Sequence, residues 1–253
     1  MVSTRLIPCI QLRDGSLVKT RKFRNFQYVG DPANTCRIFN ECEVDELVVV
    51  DINASVQHRG PSYDVLASLA EECFMPVAYG GGIKSVAQVE QILRLGIEKV
   101  IVGSAAYERP ELLTEISCVF GAQCVIAAID VKRTMFGDLA CRKLSGSTRT
   151  GVAPEEWAKR VEDMGAGEIL LTSIDREGTW SGFDLELIQL VTAAVSIPVV
   201  AHGGAGAHDD IRGVIEHGGA SAVALGNMVV FQKEGMGVLV NFPSETERTE
   251  MGL

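Results

Sequence analysis

Met75–Val102 reads MPVAYGGGIKSVAQVEQILRLGIEKVIV, and its three parts decide the fold. Met75–Tyr79 (MPVAY) is short, apolar and closed by glycines, as expected of a strand buried on both faces. Val86–Leu95 (VAQVEQILRL) carries apolar residues at helical spacing and stops at Gly96, a common helix terminator. Lys99–Val102 (KVIV) then begins a second strand of the same kind. Strand, helix and strand in this order build parallel sheets, because the crossover helix carries the chain back to the same end of the sheet.

The pattern extends in both directions. Further apolar runs lie at Arg5–Leu12 (RLIPCIQL), Glu46–Asp51 (ELVVVD), Cys124–Asp130 (CVIAAID), Glu168–Thr172 (EILLT), Pro198–His202 (PVVAH) and Ala222–Leu225 (AVAL), with helical stretches such as Ala153–Met164 between them. Eight units in about 250 residues is the count of a closed (βα)8 barrel. A doubly wound open sheet is the alternative, but no GxGxxG follows the first run, so its dinucleotide-binding form has no support. Gly80-Gly81-Gly82-Ile83 after the third run is echoed roughly 120 residues later by His202-Gly203-Gly204-Ala205-Gly206 after the seventh. Gly103-Ser104 after the fourth is echoed by Gly226-Asn227 after the eighth, and Asp51 by Asp175. The expectation is a single (βα)8 barrel over residues 1–253, built from two half-barrels of about 1–122 and 123–253.

Composition narrows the partners. The 253 residues carry 23 Lys and Arg against 33 Asp and Glu, a net charge of −10 that disfavours nucleic acid. No run approaches the roughly 20 apolar residues that cross a bilayer, and the N-terminus lacks a signal-peptide core, which places the chain in the cytoplasm. Seven scattered cysteines without a CxxC pair, and histidines at 58, 202, 208 and 217, give no zinc spacing. Most of the thiols are expected to be buried and reduced, and no metal or other cofactor is expected.

Active sites of such barrels lie at the C-terminal strand ends. There Gly81, Gly82, Gly103 and Ser104, and their echoes Gly203, Gly204, Gly226 and Asn227, suit a ligand with a phosphate at each end, since glycine lets backbone N–H groups approach an anion. Tight turns without a ligand are the alternative. Asp51, Asp130 and Asp175 are candidate proton-transfer groups, or helix caps. Only Lys99, at the start of its run, could serve a Schiff-base aldolase, which disfavours that chemistry. The stretches 14–32 and 132–150 read as long polar loops able to close over a ligand.

Taken together, Ile7-Pro8-Cys9, Asp14-Gly15, Gly30-Asp31-Pro32, Asp51-Ile52, Gly80-Gly81-Gly82-Ile83, Ala128-Ile129-Asp130, Gly165–Arg176 and Gly178-Thr179 resemble the cyclase subunit of imidazole glycerol phosphate synthase, HisF, over Arg5–Leu253. The resemblance implies ammonia delivered by a docked HisH-like glutaminase, passed through the barrel, and joined to a bis-phosphorylated substrate at the C-terminal face. It implies a charged ring at the ammonia entrance, at Arg5, Glu46, Lys99 and Glu168, with Glu98 beside it, and a lysine in the first loop, Lys19, that serves closure and ammonia transfer. It also implies an acid–base pair of aspartates, of which Asp130 is one. The other position holds Gln11, which cannot titrate at neutral pH. Losing such a group typically costs about 10²- to 10⁴-fold in rate. Gly103, His202 and Trp180 stand where the family usually has Asn, Ser and Lys. These departures resemble HisF-like paralogues of surface-polysaccharide pathways, in which a HisH-like glutaminase and a separate ATP-dependent amidotransferase turn a sugar acetamido group into acetamidino. A true cyclase, with Asp130 helped by Asp51 or His202, is the alternative, and the related two-phosphate isomerase of the same pathway a third.

Overall fold

The computed structural model describes residues 4–251 and 253. In chain order its strands are β1 (Arg5–Arg13), β2 (Ser16–Arg21), β3 (Arg24–Gly30), β4 (Leu47–Asp51), β5 (Val77–Gly80), β6 (Lys99–Val102), β7 (Val125–Arg133), β8 (Leu139–Lys143), β9 (Thr148–Arg149), β10 (Glu168–Ser173), β11 (Val199–His202) and β12 (Ala222–Leu225). The helices are α1 (Pro32–Glu41), α2 (Tyr63–Glu72), α3 (Val86–Arg94), α4 (Ser104–Glu108), α5 (Glu111–Phe120), α6 (Pro154–Asp163), α7 (Leu185–Thr192), α8 (His208–Glu216) and α9 (Glu245–Glu250).

Parallel pairing runs β1–β4–β5–β6–β7–β10–β11–β12 and returns to β1, so the sheet is a closed eight-stranded (βα)8 barrel. All eight expected runs are barrel strands. The period-2 alternation of a strand divides its side chains between two cores. Ile7 and Cys9, Val48, Ala78, Ile101, Ile126, Leu170, Val200, and Ala222 and Ala224 point inward and pack together inside the barrel. Leu6 and Ile10, Leu47 and Val49, Ile169 and Leu171, and Val223 and Leu225 point outward into the larger core between strands and helices. Three of the helices that cover this outer core, α1, α3 and α7, begin on side-chain caps: Asp31, Ser85 and Asp184 accept from the backbone N–H three residues on.

Three expectations are corrected here. The stretches 14–32 and 132–150 are not plain loops. β2 pairs antiparallel with β1 and β3, and β8 with β7 and β9, so each is a hairpin continuing a barrel strand beyond the mouth. Asp130 consequently does not end its strand: β7 runs on to Arg133, with Asp130 opposite Arg142 on one side and Thr172 on the other. Nor are most of the cysteines buried. Cys9, Cys36 and Cys141 are, whereas Cys42, Cys73 and Cys124 are half-buried and Cys118 is exposed. Among the described residues no helix is long and apolar enough to cross a membrane.

Candidate active site

At the N-terminal end of the barrel, Arg5, Lys99 and Glu168 are the first residues of their strands and Glu46 directly precedes β4. The Arg5 guanidinium donates to Glu46 Oε2 at 2.5 Å and also to Glu168 Oε1, while Lys99 Nζ lies 2.8 Å from Glu46 Oε1 and 3.5 Å from Glu168 Oε2. The four side chains therefore form one ring of alternating charge. Burial opposes the Arg5 charge, but the two glutamates outweigh it and raise the guanidinium pKa. Next along the axis come the small and medium side chains of the inner core, Ile7, Cys9, Ala78, Ile126, Val200 and Ala222 among them.

Beyond them, at the C-terminal strand ends, lies a cavity of about 150 Å³. Cys9, Ile101, Ala128 and Leu170 line it toward the barrel interior, Gln11, Asp51, Asp130, Thr172 and His202 add polar groups, and Phe23 and Ser145 come from the two hairpins. Burial pushes the Asp130 carboxyl up to about 7, against a hydrogen bond from Thr172 and assisted by the negative charge of Glu177. A carboxyl that titrates near neutrality can give or take a proton at working pH. Burial, and then the charge of Lys19, lower His202 to about 3, so its imidazole is neutral; Nδ1 shares a 3.2 Å hydrogen bond with the Thr172 hydroxyl. Lys19 is itself buried, and its Nζ donates to the Cys9 carbonyl at 2.9 Å. Burial lowers its pKa, while Cys9 and Glu177 act in the opposite direction.

Gln11 is 2 % exposed and held on both sides of its amide. Nε2 donates to Glu177 Oε1 at 3.3 Å, and the Thr20 hydroxyl lies 3.2 Å from Gln11 Oε1 and 2.7 Å from Glu177 Oε1. The position thus offers directed hydrogen bonds and no transferable proton.

The remaining candidates separate. Asp51 lines the cavity, but its Oδ1 accepts from the Asn53 and Ala54 backbone at 3.0 Å and its Oδ2 lies 3.5 Å from Arg59, the behaviour of a turn cap. Asp175 accepts from Arg133 N at 2.8 Å and is not among the residues lining the cavity. Gly81, Gly103 and Ser104 line it, and Ser104 Oγ accepts from Leu144 N of the second hairpin at 2.9 Å. Gly82 does not: its φ is +70° and a Cβ there would lie 2.4 Å from Arg59 O, so close backbone packing alone requires glycine. Gly203, Gly204, Gly226 and Asn227 line a separate space of about 10 Å³, beside Glu177, Gly178 and His202.

A family model described as "Histidine biosynthesis protein" matches residues 5–234. Over 243 residues, 96 % of this chain and 97 % of the relative, the chain is 44 % identical to the "Putative imidazole glycerol phosphate synthase subunit hisF2" of Pseudomonas aeruginosa. The chain belongs to the HisF family. Other HisF relatives are the "Putative imidazole glycerol phosphate synthase subunit hisF3" of Vibrio vulnificus, 41 % identical over 98 % of this chain and 96 % of the relative, and the "Imidazole glycerol phosphate synthase subunit HisF" of Methanococcus vannielii, 38 % identical over 92 % and 93 %.

In this HisF-family barrel the sequence reading passed over Glu177, which is 3 % exposed and bonded to Gln11, Thr20 and the first hairpin. Its signal lay in Leu171–Gly178 (LTSIDREG), where Asp175 drew attention by its half-repeat echo. Thr172 and the hairpin residues Thr20 and Phe23 were likewise missed, since only the closed barrel brings them to the mouth.

Proposed function

We propose that the chain is the ammonia-receiving synthase subunit of a glutamine amidotransferase. A HisH-like glutaminase docks at the face carrying Arg5, Glu46, Lys99 and Glu168, and ammonia passes the ring and the uncharged inner core to the cavity at Gln11 and Asp130. The acceptor is a surface-polysaccharide sugar, whose acetamido group becomes acetamidino on a separate ATP-dependent amidotransferase at the C-terminal face. A phosphorylated small molecule occupies the glycine-lined mouth, and the complex works in the cytoplasm. The observation that carries this reading is the Gln11 amide, fixed by Glu177 and Thr20 where cyclisation would need a titrating acid. The designations hisF2 and hisF3 of two relatives suit an additional copy beside a histidine-pathway enzyme.

Two observations favour an authentic cyclase: burial pushes the Asp130 carboxyl up to about 7, and the Glu177 carboxylate lies within hydrogen-bond reach of Gln11. Mixing the purified chain with HisH-like glutaminases and the bis-phosphate cyclase substrate, and following glutamate and imidazole product together, separates the two. Glutamate release without imidazole product supports the ammonia-delivering subunit. Imidazole product at an ordinary enzymatic rate overturns it in favour of the cyclase.

A further inference from the structure

Three neighbouring strands bring one side chain each to the same level of the barrel mouth. Thr172 on β10 is in register with Asp130 on β7 to one side and with His202 on β11 to the other. All three line the 150 Å³ cavity. The Thr172 hydroxyl engages both neighbours: it donates to the Asp130 carboxylate, and its Oγ1 lies 3.2 Å from His202 Nδ1. A hydroxyl has one proton to give and two lone pairs to offer. An ionised Asp130 and a bare Nδ1 would compete for that proton and leave one acceptor unpaired. An Nδ1–H removes the conflict, because Thr172 then accepts from His202 and donates to Asp130.

The far side of the imidazole decides which nitrogen carries the proton. Burial and the charge of Lys19 keep the ring neutral, so it has one N–H. A Cβ on Gly226 would lie 2.9 Å from Lys19 Nζ and 3.6 Å from His202 Nε2, so both nitrogens meet at this glycine. An ammonium has hydrogens to donate and no lone pair, and an Nε2–H beside it would set donor against donor. Asn227 Oδ1 belongs to a residue lining the same small space as His202, and it has no hydrogen-bond partner among the described residues, so it does not hold a proton on Nε2. Both observations leave Nε2 bare and make Nδ1 the donor.

We propose that His202 is a positioning residue for Asp130: kept as the Nδ1–H tautomer by the Lys19 ammonium near Nε2, it donates to Thr172 Oγ1 and commits the Thr172 hydroxyl proton to the Asp130 carboxylate. The consequence is in acid–base balance. Burial and then the charge of Glu177 favour the neutral carboxyl, and the hydrogen bond from Thr172 opposes them. Cys9, Cys141 and Tyr107 also feel Asp130, but burial raises all three, so they stand uncharged. The cations Arg142, opposite Asp130 on β8, and Lys19 on β2 are the same in every variant below. Without His202 the Thr172 proton is free to turn away, and Asp130 holds its own proton more tightly. This holds whichever acceptor the ammonia meets, because it concerns the acidity of Asp130 alone.

The test uses the full chain without a glutaminase. Nitrogen-15 NMR of histidine-labelled protein reads the tautomer of wild-type His202, and carbon-13 NMR of aspartate-labelled protein follows the Asp130 carboxyl through its titration, with Asp130→Asn identifying its resonance. The variants are His202→Leu, which keeps the site filled and dry without a donor, His202→Asn, whose amide can donate from the place of Nδ1, Thr172→Val, and the double variant Thr172→Val with His202→Leu. An Nδ1–H tautomer is expected, with the Asp130 midpoint raised by about one pH unit, a tenfold gain in proton affinity, in His202→Leu and Thr172→Val alike. His202→Asn should stay near wild type, and the double variant should rise no further than Thr172→Val. An Nε2–H tautomer overturns the proposal and needs no variant to fold. An unchanged midpoint in His202→Leu overturns it too. So does a His202→Leu shift that recurs undiminished in the Thr172→Val background, since it would then come from packing and not from the Thr172 proton.

Discussion

Replacing Arg5 by Met should destabilise the barrel far more than replacing Lys99 by Met, although each removes one positive charge from the same ring. Arg5 bonds both glutamates, whereas Lys99 approaches Glu46 at 2.8 Å and Glu168 only at 3.5 Å. Glu46 and Glu168 are 3 % and 7 % exposed, so water cannot take over when a partner is lost. Removing one member of a buried ion pair costs about 3 to 5 kcal/mol, and the 30 % exposure of the Arg5 side chain puts Arg5→Met at the low end, about 3 kcal/mol. Lys99→Met leaves Arg5 bridging both carboxylates and should cost about 1 kcal/mol. With a urea m-value of about 3 kcal/mol per molar, the midpoint for Arg5→Met falls by about 1 M and that for Lys99→Met by about a third of that. Replacing all four ring residues together, with Met for the cations and Gln for the glutamates, should restore most of the loss, because the cost lies in uncompensated charge. Equal midpoints for the two single variants, or a fourfold variant less stable than Arg5→Met, would refute the ring as an electrostatically closed unit.

Three further outcomes are expected. Asp130 has a folded pKa of about 7, above its unfolded value, so its contribution makes stability fall as pH rises from about 4 to 7; His202, depressed to about 3, makes stability rise with pH up to about 6.5. The two oppose each other, so urea midpoints of Asp130→Asn should rise between pH 4.5 and 6.5 relative to wild type, and those of His202→Gln should fall. Gln11→Asp replaces the amide that donates to Glu177 at 3.3 Å by a like-charged carboxyl one methylene nearer the backbone, so the bond is lost and the two carboxylates repel; amide exchange at Phe23 should quicken, and an unchanged rate would count against the Gln11–Glu177 contact. Gly82→Ala should cost about 3 kcal/mol by urea unfolding because its Cβ meets Arg59 O, whereas Gly137→Ala, also left-handed at φ +93° but with open space around it, should cost about 1 kcal/mol.

The barrel was legible because its strands are apolar on both faces, so that Met75–Val102 and its counterparts stand out without any knowledge of pairing. The two hairpins were not legible for the opposite reason. β3 runs through exposed, polar positions such as Arg24, Asn25 and Gln27, and its hydrogen bonds to β2 leave no mark in composition. The ring residues were named from the family resemblance and stand at or just before strand starts, whereas the place of Glu177 depended on a contact with Gln11, 166 residues away, which no local pattern encodes. Asp175 shows the limit of the half-barrel echo: the repeat placed it near the mouth, and its carboxylate is engaged by the backbone of Arg133.

Burial is unevenly shared around the ring. The carboxylates of Glu46 and Glu168 are withdrawn, with side chains 4 % and 9 % exposed, while Arg5 at 30 % and Lys99 at 23 % face outward. Although the protein as a whole is acidic, a small solute nearing the barrel axis from this side meets two cations first. Both carboxylates are already held by Arg5 and Lys99, so under the proposed function the collar offers an ammonium ion no free anion, and uncharged ammonia is the form that passes at least cost.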